Sequence, residues 1–168
     1  MVNRFRAIPL LALTGLILTV LLAAGCRAAA PTASPEETTQ ITAVVQAFGK
    51  KLQQVSLLSP TAATDIRSQY ADYLSPALLD QWAADPAHAP GRMTSSPWPD
   101  RIEISSLTKI SNGVFAVSGD IVEVTSVEAN PTQQAAGATP AAAIEIPVQI
   151  TLEKDAAGSW KITAFQQG

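Results

Sequence analysis

The chain has 168 residues, with 11 basic and 14 acidic side chains, a net charge of −3 and a single cysteine. That length suits one domain core rather than two. Scattered acids without a stripe of Lys or Arg argue against nucleic acid as a partner and against electrostatic attachment to anionic lipid. One cysteine leaves no partner for an internal disulfide or for a cysteine-based metal cage, and no metal or cofactor is expected.

The first 25 residues read as a leader. Arg4 and Arg6 form a positive start, and from Ala7 to Ala24 the chain carries no charge and is rich in Leu, Ile and Val. A positive region, an apolar region and a small-residue end are the parts of a secretory signal. Its ending, Leu22-Ala23-Ala24-Gly25-Cys26, resembles the lipobox of bacterial lipoproteins. The resemblance implies a lipid on the Cys26 thiol and cleavage between Gly25 and Cys26. It also implies attachment to a cell membrane on its extracytoplasmic face, which two or more acyl chains make stable. Losing Arg4 and Arg6 with the leader leaves nine basic side chains against 14 acidic ones, a charge of −5.

Residues 26–39 are expected to be the modified cysteine and a flexible tether. Arg27 to Thr39 is rich in Pro, Ser, Thr and Ala and has no large apolar residue to bury. A single domain is then expected over residues 40–168. Ile41, Val44, Val45, Phe48, Leu52 and Val55 recur at helical spacing, with Glu36 and Glu37 near the start and Lys50 and Lys51 later, which suits the helix dipole. This predicts an amphipathic helix that runs to the break at Ser59-Pro60. A second helix is predicted over 61–74, with Ile66, Tyr70, Tyr73 and Leu74 on one face. Ser75-Pro76 supplies a cap and first-turn proline for a third, carrying Leu78, Leu79 and Trp82 and ending at Asp85-Pro86.

Asp85 to Arg101 is a proline-rich loop holding the only histidine. A loop this long in a small domain is usually functional or disordered, so His88, Arg92, Trp98, Asp100 and Arg101 are the candidate binding residues. Each also has a plainer role. Trp98, between two prolines, reads first as a plug over one end of the core. Asp100 and Arg101 read as a turn acid and a surface base, His88 lacks a metal partner, and Arg92 is an ordinary solvated arginine.

Strand patterns follow. Arg101 to Ile104 alternates, and a phase change before Leu107 and Ile110 suggests a bulge. Ser111-Asn112-Gly113 suits a type I′ hairpin turn. Val114 to Val127 is long for one strand, with a bend predicted at Gly119-Asp120. Ala129 to Ala143 lacks large apolar residues and reads as a mobile insertion at a hairpin tip. Ile144, Ile146, Val148, Ile150 and Leu152 alternate with polar residues, with a bulge or an unpaired amide expected at Pro147. Asp155 to Gly158 turns the chain into a last strand from Trp160 to Phe165.

Three helices followed by a curved four-stranded antiparallel meander make an α+β domain. The order of elements over Gln40 to Gln166 resembles the nuclear transport factor 2-like fold, with a cystatin-like helix-on-sheet arrangement as the competitor. Enzymes of that superfamily place an acid, histidine or tyrosine inside the cone, so the resemblance makes Tyr70, Tyr73 and Asp120 the candidate pocket. No catalytic residue carries over, because none falls in a motif that matches. The leading expectation is a membrane-anchored, non-enzymatic module for a protein partner or small ligand. The alternatives are a structural component of an envelope or conjugation assembly, and an isomerase- or cyclase-like enzyme with a carboxylate in the cone.

Overall fold

The computed structural model describes residues 32–129, 132 and 143–168. The leader, Cys26, the first part of the expected tether and most of the expected insertion lie outside the described residues. Three helices, α1 (Pro35–Leu52), α2 (Ala62–Tyr70) and α3 (Pro76–Ala84), precede a 3₁₀ turn at Pro86–His88. Strands β1 (Trp98–Ser111), β2 (Val114–Val124), β3 (Ile144–Lys154) and β4 (Trp160–Gln167) follow. They form one antiparallel meander in the order β1-β2-β3-β4. No helix among the described residues is long and apolar enough to cross a membrane.

α1 starts earlier than its composition suggested. The Ser34 hydroxyl accepts from the Glu37 amide at 3.1 Å, and the Glu37 carboxylate accepts from the Ser34 amide at 3.0 Å. This capping box, with Pro35 in the first turn, begins the helix inside the stretch expected to be tether. The helix also ends earlier, at Leu52. Val55 still reaches the core, but from an extended segment whose backbone pairs with Arg92: Arg92 N–H donates to Val55 C=O at 2.8 Å, and Leu57 N–H to Arg92 C=O at 3.0 Å. α2 likewise stops at Tyr70, short of Leu74, while α3 begins on the Ser75 cap as predicted.

The sheet is bent by register shifts in β1 at Pro99/Arg101, Ile104/Ser106 and Lys109/Ser111. Gly119 faces the second of these, and a methyl group there would collide with the Glu103 carbonyl, so the glycine permits the bend. At the first hairpin only Gly113 has a positive φ, 77°, and Asn112 does not. The expected type I′ turn needs both, so the bulge at Lys109/Ser111 turns the chain with one left-handed residue instead. At Pro147 the β2–β3 register runs through without a shift.

Candidate functional site

The space between helices and sheet is filled by aromatic side chains. Around the fully buried Phe48 ring stand Tyr70 at 5.1 Å, Tyr73 at 6.1 Å, Phe165 at 6.0 Å and Trp82 at 6.3 Å between centroids. Aromatic groups of α1, α2, α3 and β4 therefore converge on one point, while Trp160 of β4 packs apart on Phe115. Each brings a large apolar area to the core, and their edge-to-face contacts add about 0.5–1.5 kcal/mol per pair.

The candidate pocket does not assemble. Tyr70 is fully buried, and its hydroxyl donates to the Pro90 carbonyl at 2.7 Å, tying α2 to the loop after α3. Burial pushes its phenol up from the ordinary value. Tyr73 is half-buried and packs on Phe48. Asp120 faces away from both. On β2, Phe115, Val117 and Ile121 alternate onto the core face, so Asp120 lies on the opposite face with Ser118. The Ser118 hydroxyl donates to Gln149 Oε1 at 2.9 Å on that outer face.

The candidate loop divides into three places. His88, with its side chain 80% exposed, ends the 3₁₀ turn and pairs through Nδ1 with Asp85 Oδ2 at 2.8 Å, a local contact between residues three apart. Arg92 is half-buried and contributes its backbone to the ladder with Val55 and Leu57. Trp98, Asp100 and Arg101 belong to β1 and not to a loop. Trp98 pairs with Val124, is half-buried and stands outside the core, so it does not plug it; the core tryptophans are Trp82 and Trp160.

Arg101 is where charged side chains gather. Its Nε and one terminal nitrogen donate to Glu103 Oε1 at 2.9 and 2.6 Å, and the other donates to Asp100 Oδ2 at 3.0 Å. Donation to Glu103 first, then to Asp100, holds the guanidinium above its ordinary pKa. Arg101 separates two surface grooves. One, of about 500 Å³, runs between α1 and β1 and is lined by Gln46, Lys50, Arg101, Ile102, Glu103 and Ile104. The other, of about 410 Å³, lies beside Asp100, Val122, Val124 and Glu128. A third cleft of about 290 Å³ lies between the turn around Leu74–Pro76 and the β3–β4 hairpin, at Glu153, Lys154 and Lys161. Gln46, Lys50 and Glu103 are not among the candidate site residues of the sequence, where Lys50 counts only as a charge suited to the helix dipole. No signal marks them there, since an exposed lysine and glutamine on a helix are the ordinary solvated face.

Among the described residues no group of three or more His, Cys, Asp or Glu side chains is placed to hold a metal ion. No protein-family model matches the chain, and no curated protein does. Solved structures do match. A nuclear transport factor 2-like protein involved in plasmid conjugation superposes with a TM-score of 0.50 at 16% identity, over 83% of this chain and 41% of that one. The chain thus spans about two fifths of that protein's length. The intermembrane space region of the chloroplast protein ARC6 superposes with a TM-score of 0.40 at 15% identity, over 82% of this chain and 98% of that one. The domain is α+β with a nuclear transport factor 2-like fold: three helices pack on the antiparallel sheet, as expected from the order of elements.

Proposed function

We propose that the chain is a non-enzymatic binding module, held by lipid on Cys26 at the extracytoplasmic face of a cell membrane and presenting its domain to a protein partner or small ligand. The observation that carries the binding reading is the filled interior. Five aromatic rings meet between helices and sheet, and Asp120, the carboxylate an isomerase- or cyclase-like enzyme would need inside, lies on the other face. Recognition then falls to the surface grooves around Arg101.

The anchor rests on Ala23-Ala24-Gly25-Cys26 and on the uncharged apolar run before it. Its test is Cys26→Ala in cells, followed by separation of membrane and soluble fractions. Release of the domain supports the anchor, and continued retention in membranes refutes it. Binding is tested by extracting the full chain in detergent and looking for a stable, saturable partner; a chain that captures none is not a binding module.

A second reading is a structural component of an envelope or conjugation assembly. It draws its support from the solved protein of this fold that is involved in plasmid conjugation. That reading requires the chain to migrate in a large complex after extraction, whereas the first is satisfied by a one-to-one partner.

A further inference from the structure

The chain enters the domain at one end. Ala33 packs against the core and the Ser34 hydroxyl caps α1, so the fold takes hold from Ala33 onward. Two hairpin tips flank this entry. The β1–β2 tip follows Lys109, whose ammonium reaches Glu37 in the first turn of α1. The β3–β4 tip leads into Trp160, whose indole donates to Gln40 Oε1. The Lys154 amide donates to the Gly113 carbonyl at 3.0 Å and sets the two tips side by side.

The tips, Ile110–Gly113 and Asp155–Ser159, hold nine residues, and Asp155 alone is charged. Its carboxylate turns into its own loop, where Oδ1 accepts from the Ala157 and Ser159 amides at 2.9 and 2.8 Å. Ile110 is 56% exposed, and Asn112, Ala156 and Ala157 are exposed with it. The neighbouring Lys154 ammonium lies over the Trp160 ring, 5.0 Å from its centroid. Such a surface can meet a layer of lipid headgroups without stripping water from an unpaired ion.

Distance selects the occupant. Seven residue steps separate Cys26 from Ala33, and they span at most about 25 Å. α1, 18 residues long, runs about 27 Å away from the entry. Leu58, 72% exposed, follows the segment beyond its far end that pairs with Arg92. We propose that the paired hairpin tips are the membrane-facing surface of the domain, resting on the headgroups of the bilayer that anchors Cys26, with the Leu58 end pointing away. This orientation rests on the reading of Cys26 as lipid-anchored. It leaves the groove beside Gln46 and Lys50, on the second half of α1, to a partner away from the lipid.

The test is energy transfer to labelled lipid. The full chain is extracted from membranes and reconstituted into phosphatidylcholine vesicles that carry an acceptor dye on a fraction of their headgroups. A donor dye is attached at one of two exposed positions, Ala157→Cys or Leu58→Cys. Lipid on Cys26 leaves the introduced thiol as the one that reacts. Transfer should be severalfold stronger from Ala157→Cys than from Leu58→Cys. Equal transfer, or stronger transfer from Leu58→Cys, overturns the proposal. Dimers in detergent that cross-link through Ala157→Cys would make a second copy the occupant and overturn it too. Flotation keeps the two claims apart. A chain that floats with the vesicles and shows equal transfer retains its anchor and loses only this orientation. A chain that does not float has no anchor, and both readings fall.

Discussion

The Lys109 ammonium lies 3.0 Å from Glu37 Oε2, joining the first turn of α1 to the far end of β1. Both side chains are largely shielded from solvent, at 11% and 19% exposure. The Ser34 amide and then Lys109 pull the Glu37 carboxyl below its ordinary pKa. A carboxyl lowered in the fold adds stability above the ordinary carboxylate range and loses it as pH falls through the folded value. Glu37→Gln should therefore lower the urea midpoint at pH 7, and the difference from wild type should close as the pH is brought down through that value.

The other half of the same capping box is neutral and gives a pH-independent effect. Ser34→Ala removes the acceptor of the Glu37 amide and should cost about 1 kcal/mol in chemical denaturation. Ser34→Asp should restore most of it.

Tyr70→Phe leaves the buried Pro90 carbonyl without its donor, at a cost of about 1–3 kcal/mol. The same variant changes the alkaline limb. A phenol whose pKa is raised in the fold stabilises below the unfolded value, near 10, and that contribution fades as pH rises above it. Wild type should lose stability above about pH 10, and Tyr70→Phe should lose less there, read by denaturant midpoints across that range.

Phe48→Ala removes the ring on which four other aromatic rings pack and should cost about 3–5 kcal/mol by denaturant unfolding. Phe48→Leu, which refills part of the volume, should cost less. Equal losses would mean that the rings do not pack as one unit.

Gly119→Ala tests the bend in β2. The added methyl meets the Glu103 carbonyl, a backbone atom that cannot swing away, so a loss of about 1–3 kcal/mol is expected by the same measurement. A neutral outcome would mean that the sheet bends elsewhere.

Particular residues show why some of this was legible in the sequence. Val148, Ile150 and Leu152 alternate cleanly because β3 is buried on one face and open on the other, the case in which period two is a direct record of burial. Val55 misled because it continues the spacing of α1, yet it enters the core from an extended segment; spacing records which side is buried, not which backbone delivers it. Arg27 to Thr39 has the composition of a tether, yet Ser34 and Glu37, three apart, carry the helix start within it. Trp98 was assigned to a loop because prolines flank it, although an edge strand with a bulge accommodates Pro99. The α1–β1 groove had no trace in the pattern, since it exists only where Gly49 meets Ile102, a contact across 53 residues of chain.

The first two turns of α1 are fastened to both sheet edges, Glu37 to Lys109 on β1 and Gln40 to the Trp160 indole on β4 at 3.1 Å. Mechanically this makes the helix a crossbar. A pull on the chain ahead of Ser34 loads the two fastenings in shear before it reaches any strand-to-strand bond. Force is shared between opposite margins of the sheet, so the domain should yield by detaching its crossbar as one step, not by unzipping from β1.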